Sequence, residues 1–130
     1  MKLTSISLTI CFVLGVLTSA QTHSGIAGPR WKLTEVNGVA VTNSRAFLQF
    51  DAKKYSGSSS CNFIGGNYKI GGRHIFFSQG FITRRNCLDE ETQKIETEFM
   101  KAFSEVTDFA IEGDELRLYS VDHVVLVFKG

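Results

Sequence analysis

Two cysteines, Cys61 and Cys87, restrict this chain more than any other feature, because they bracket the place where strand-like runs give way to a helix. The first lies in Ser60-Cys61-Asn62-Phe63-Ile64-Gly65-Gly66-Asn67-Tyr68. There a small thiol, a turn-forming amide and two glycines stand between runs that read as strands. The second closes Thr83-Arg84-Arg85-Asn86-Cys87, directly ahead of the segment with helical periodicity. The remaining cysteine, Cys11, sits in an apolar N-terminal run. If that run is removed, one intramolecular pairing is left. A Cys61–Cys87 bridge would fasten the start of the helix to the middle of a sheet. Closing a loop of about 25 residues is worth roughly 3–3.5 kcal/mol in the chain-entropy model. Two buried thiols behaving as small hydrophobes are the competing reading.

The N-terminal run reads as a secretory signal. Lys2 is followed by an apolar stretch from Ile6 to Leu17 and then by Thr18-Ser19-Ala20, which puts small residues where signal peptidase reads. The stretch is too short to cross a hydrocarbon core of ~30 Å comfortably. Leu8-Thr9-Ile10 before Cys11 is no lipobox. The expectation is therefore a signal peptide over residues 1–20, cleaved between Ala20 and Gln21, and a protein delivered to the periplasm or the extracellular space without membrane insertion. Lys2 is the sole charged residue among the first 20, so the rest of the chain carries 13 residues of each sign. A neutral domain has no long-range field for polyanions, which argues against nucleic acid and anionic membrane surfaces as partners. The remaining length suits one domain with a single core, expected as a monomer.

Residues 21–29 carry glycines and no periodicity and read as a flexible leader. Arg30 to Val36 alternates polar and apolar, as a half-buried strand does, and Asn37-Gly38 is a hairpin turn signal. Ala46–Phe50 is a second strand. Lys54–Ser60 is β-compatible, with Gly57 as a candidate bulge. Asn67–Ile70, Arg73–Ser78 and Phe81–Thr83 follow as strands, with the glycines at 65, 66, 71 and 72 read as hairpin glycines. Asp89 can cap a helix that Glu90 and Glu91 open. Ile95, Phe99, Ala102, Phe103 and Val106 form its apolar stripe. Asp108–Ile111, Glu115–Tyr119 and Val124–Phe128 close the chain as strands. The spacing predicts an antiparallel meander with one amphipathic helix inserted before the last three strands. Trp31, Phe50, Phe99, Phe103 and Phe128 are the expected core aromatics.

Trp31 with Leu33, the Cys61-Asn62 pair with Gly66 and Tyr68, Thr83 with Cys87, Glu98 with Phe99, and Asp114, Leu116 and Leu118 occur in the order found in the META (HslJ-like) domain family. The chain resembles that family over residues 30–129. Ser60 stands where the family usually has glycine, and Gly65 is extra. The resemblance implies a small α+β domain in residues 30–130, with a mostly antiparallel, curved, barrel-like sheet. It also implies an exported, stress- or envelope-related protein without an agreed enzymatic activity. It marks Asn62, Gly66, Tyr68 and Thr83 as motif residues.

The chemistry-bearing residues do not group into a reactive motif. Cys61, Cys87, His74 and His123 lack the close spacing of a preformed metal site. Gly57-Ser58-Ser59-Ser60-Cys61 lacks the second glycine of a nucleophile elbow. The Gly65-Gly66 and Gly71-Gly72 pairs are not followed by the Lys-Ser/Thr of a phosphate loop. The expectation is a non-enzymatic protein with no metal and no cofactor. It would bind a protein partner, with exposed Phe and Tyr residues or the Arg84-Arg85 corner as the contact. The alternative is a carrier of a small apolar ligand inside the curved sheet.

Overall fold

A computed structural model of the chain describes residues 25–78 and 80–130. The signal peptide expected over residues 1–20 lies outside the described residues. Strands β1 (Arg30–Val36), β2 (Val39–Ala40), β3 (Phe47–Phe50), β4 (Lys54–Ser58), β5 (Phe63–Gly71), β6 (His74–Phe77) and β7 (Phe81–Ile82) precede helix α1 (Glu90–Ser104). Strands β8 (Asp108–Glu112), β9 (Glu115–Ser120) and β10 (His123–Lys129) follow it. Neighbours pair antiparallel in the order β1-β3-β4-β5-β6-β8-β9-β10, and β10 returns to β1 through Lys32–Lys129 and Val36–Leu126. The expected α+β meander is thus a closed eight-stranded barrel with one helix inserted before the last three strands. Closure satisfies edges that an open sheet would leave bare.

Local signals explain most of these elements. Trp31, Leu33 and Val36 of β1 are buried, and a register shift between Leu33 and Glu35 turns the strand's phase. The β1–β2 hairpin turns on Asn37 and Gly38 at φ 47° and 81°, the positive values that a two-residue hairpin needs. Asp89 caps α1 by accepting from the Thr92 amide at 2.8 Å. Ile95, Phe99 and Ala102 point inward from the helix. They meet Trp31, Leu48, Phe50, Ile75, Leu116, Leu118, Leu126 and Phe128, so side chains fill the barrel. Phe99 stacks on Phe103 at 5.8 Å and meets Phe128 edge-on at 6.3 Å. No described helix is long and apolar enough to cross a membrane.

Four expectations are corrected. Phe103 is only half-buried, because it lies on the last full turn of α1 beside a gap in the barrel wall. Gly65 and Gly66 are not hairpin glycines. They sit inside β5, where a Cβ would press on the Phe81 ring at 2.6 Å and on the Ser78 carbonyl at 2.7 Å. Gly57 is not a bulge. It pairs in register with Leu48, and a Cβ there would collide with the Phe47 carbonyl. The leader is packed over its described part: Ile26 is buried, its carbonyl accepts from Trp31 Nε1 at 2.8 Å, and the Gly28 amide donates to the Phe50 carbonyl at 3.2 Å.

The wall is weakest between β6 and β8, which pair at His74–Asp108 alone. Strand β7 continues the line of β6. Both pair with β5, β6 over Tyr68–Gly71 and β7 over Ile64–Gly65, while β4 occupies the other side of β5.

Candidate functional site: a buried carboxylate beside a disulfide

The segment between β4 and β5 must reverse direction within Ser59–Asn62, and it does so beneath helix α1. Ser59 and Asn62 are buried, and Ser60 adopts φ 121°, a value that favours glycine. Its burial leaves the backbone and side-chain donors without water, and Glu96 of α1 supplies the acceptor. Ser59 Oγ donates to Glu96 Oε1 at 2.8 Å, Asn62 Nδ2 to the same oxygen at 2.9 Å, and the Cys61 amide to Oε2 at 3.0 Å. Glu96 is 7% exposed, and among the described residues no cation lies within ion-pair distance of it. A carboxylate taken from water without a cation needs several hydrogen bonds, and this one has three.

Asn62 carries the connection onward. Its Oδ1 accepts from Thr83 Oγ1 at 3.2 Å and from the Arg85 amide at 2.6 Å. Thr83 Oγ1 in turn accepts from the Phe63 amide at 2.9 Å. Two residues beyond Arg85, Cys87 is disulfide-bonded to Cys61, with the Cα atoms 5.4 Å apart. The distance is normal for a bridge. Turn, β7–α1 connection and helix are thereby tied together by one covalent link and a continuous polar chain.

The other motif residues act elsewhere. Gly66 lets β5 pass against Tyr55 and the Ser78 carbonyl. Tyr68 donates its hydroxyl to the Asp51 carbonyl and packs edge-on against Phe50 at 5.1 Å. The side chains of Arg84 and Arg85 are exposed, and Arg85 lies 5.2 Å over the Phe63 ring. Glu96 was missed by sequence reasoning, which singled out Glu98. Glu98 is half-buried, while Glu96 flanks Ile95 on the inward face. The available signal was the group of small polar donors at Ser59, Ser60 and Asn62, which demands an acceptor from another element.

A second polar cluster lies at the β6–β8 seam. Asp108 is buried, with Oδ2 accepting from Thr107 Oγ1 at 2.6 Å. Its Oδ1 faces His74 Nδ1 at 2.7 Å and Arg73 Nε at 3.5 Å. Neither contact is aligned as a hydrogen bond to Oδ1. The Thr107 hydroxyl holds the Asp108 carboxyl below the usual range, helped by His74 and Arg73 and opposed by burial. His123 lies 3.3 Å from Asp122, so neither histidine stands with the cysteines. No cluster of three metal-ligating side chains occurs among the described residues.

The comparisons agree with this architecture. A structure determined by NMR is 23% identical, with a TM-score of 0.62 over 77% of this chain and 86% of that one, which shows the shared fold. No curated protein matches the chain. The model of the META domain matches residues 24–130, reaching past Arg30 to take in the packed Ile26. The chain belongs to the META domain family.

Proposed function

We propose that this is an exported, non-enzymatic META-domain protein, stress- or envelope-related, that binds a protein partner through the corner built by Phe63, Phe81, Ile82, Arg84 and Arg85. One observation carries the reading. The buried donors and acceptors around Glu96 and Asn62 satisfy one another, while the side chains just outside them are turned to solvent. Phe81 is 60% exposed and Ile82 46%, and both arginines are exposed beside them. Arginine and aromatic side chains on a rigid support are the residue types that anchor interfaces. The disulfide supports an oxidising destination. Lys2, the apolar run and Thr18-Ser19-Ala20 support export. The test of export is the intact mass of the native protein, expected to lack the first ~20 residues. The test of binding is affinity capture from the native exported fraction, expected to retain one partner with the wild-type protein and to lose it with Arg84→Ala/Arg85→Ala.

A second reading is a carrier of a small apolar ligand; side chains fill the barrel interior expected to hold the ligand, so the reading draws instead on the cleft of about 510 Å³ between β7 and the end of α1, lined by Ile64, Phe77, Ile82, Met100, Phe103 and Val106. Displacement of a bound apolar dye by a lipid extract would favour it.

A further inference from the structure

We infer that β7 is a docking edge for an extended segment of the partner protein, which adds antiparallel as a further strand and carries acidic residues at its N-terminal end. The inference rests on the protein-binding reading above and names where and how that binding occurs. Three observations converge on the same few residues.

The first is backbone chemistry. Ile82 faces Ile64 across an antiparallel ladder whose neighbouring bonds include the Thr83 amide to the Phe63 carbonyl at 3.0 Å. Antiparallel ladders alternate, so residues 81 and 83 turn their polar groups to β5 while Ile82 turns its N–H and C=O the other way. No described strand lies there, since β8 pairs with β6 at His74 alone. Among the described residues no backbone bond from outside the β5–β7 ladder reaches either group of Ile82. An edge with free donors and acceptors is a template for another strand.

The second is the surface beside that edge. The apolar cleft along β7 is floored by Ile64, Phe77, Met100, Phe103 and Val106, so alternate side chains of an added strand would meet apolar atoms. The third is charge. Arg84 and Arg85 follow β7 after Thr83, and among the described residues no carboxylate lies within ion-pair distance of either guanidinium. A strand antiparallel to β7 begins beside these arginines. Carboxylates at its N-terminal end would complement them, and basic residues there would be repelled.

The probe is a synthetic peptide of alternating valine and threonine preceded by two aspartates, followed by amide NMR of the intact disulfide-bonded protein. Saturable binding is expected, with the largest shifts at Ile82 and its neighbours. Replacing the aspartates by lysines should weaken binding by about tenfold or more, as should Arg84→Glu/Arg85→Glu. Ile82→Pro removes the outward donor and spares the bonds to β5, and proline is tolerated at edges; it should abolish binding with the fold kept by circular dichroism. Should that variant fail to fold, a peptide N-methylated on alternate amides decides the matter, because equal binding by it overturns the proposal. Equal binding by the lysine peptide, or shifts centred away from β7, also overturns it. Self-association of the free protein that is lost in Ile82→Pro would make the occupant a second copy and overturn it as well. A natural partner still captured by Ile82→Pro would overturn this inference and leave the protein-binding reading standing. Failure of the wild type to capture any protein would sink that reading itself.

Discussion

The Asn62 amide and the Glu96 carboxylate, 34 residues apart, meet at 2.9 Å inside the protein. Asn62 faces two ways, donating to the helix and accepting from the segment that leads to Cys87, so one side chain couples three parts of the fold. Every donor aimed at Glu96 carries its proton toward the carboxylate, which leaves no room for a second donor in its place. Glu96→Ala should therefore cost about 3–5 kcal/mol in urea unfolding at neutral pH, since two buried donors and the half-buried Cys61 amide lose their acceptor. Glu96→Gln should cost about 1–2 kcal/mol, because its amide group turns a donor toward a donor. A loss under ~0.5 kcal/mol for the alanine variant would show that these donors find other partners.

Ser60 is a candidate for stabilisation. Its φ of 121° places a side chain where only glycine is at ease, and its hydroxyl has no hydrogen-bond partner among the described residues. Ser60→Gly should raise stability by about 1 kcal/mol, whereas Ser60→Ala should not, because alanine keeps the Cβ. Equal midpoints for all three proteins would refute the strain.

The bridge between Cys61 and Cys87 spans a separation of 26 residues. Cys61→Ser/Cys87→Ser should lower stability by about 3 kcal/mol, mainly by freeing the unfolded chain. Peptide mapping without reductant should find the two cysteine peptides linked. Two thiols titrating in the unfolded, unreduced protein would show that no bridge exists.

Acid should weaken the fold through three aspartates. The amides of Lys53 and Lys54 hold the Asp51 carboxyl below the usual range, the Thr92 amide and hydroxyl do so for Asp89, and the Thr107 hydroxyl does so for Asp108. A group whose folded pKa is depressed contributes its full stability above the unfolded value and loses it as pH falls through the folded one. The stability curve should be level in this respect above about pH 5 and should decline below about pH 4. Asp89→Asn and Asp108→Asn should each flatten that decline. An unchanged acid limb in both would remove these carboxylates from the account.

Phe99 and Phe103 lie one helical turn apart and should respond unequally. Phe99 is fully buried, so Phe99→Ala should cost about 3–5 kcal/mol. Phe103 borders the open cleft, where the neighbours can relax and water can enter, so Phe103→Ala should cost about 2 kcal/mol. Equal losses would mean that the cleft is closed in solution.

Much of the local structure was legible because it is encoded within a few residues. Alternation marked Arg30–Val36, Asn37-Gly38 marked its turn, Asp89 marked the helix start, and Ile95, Phe99 and Ala102 of the apolar stripe marked the inward face, while Val106 falls beyond the helix end at Ser104. Each depends on backbone preferences or side-chain period, which a short window contains. The closure of β10 on β1, which brings Lys32 opposite Lys129, depends on how far the sheet twists and coils before its ends meet. The glycines at 65 and 66 looked like turn residues because local preference cannot distinguish a flexible position from a crowded one. The Phe81 ring and the Ser78 carbonyl, brought against β5 by the fold, leave no space for a Cβ at either position. Glu96 looked like one more carboxylate on a charged helix. Its role was decided by the buried donors of Ser59 and Asn62 and the half-buried amide of Cys61, which tertiary packing brings onto one side chain.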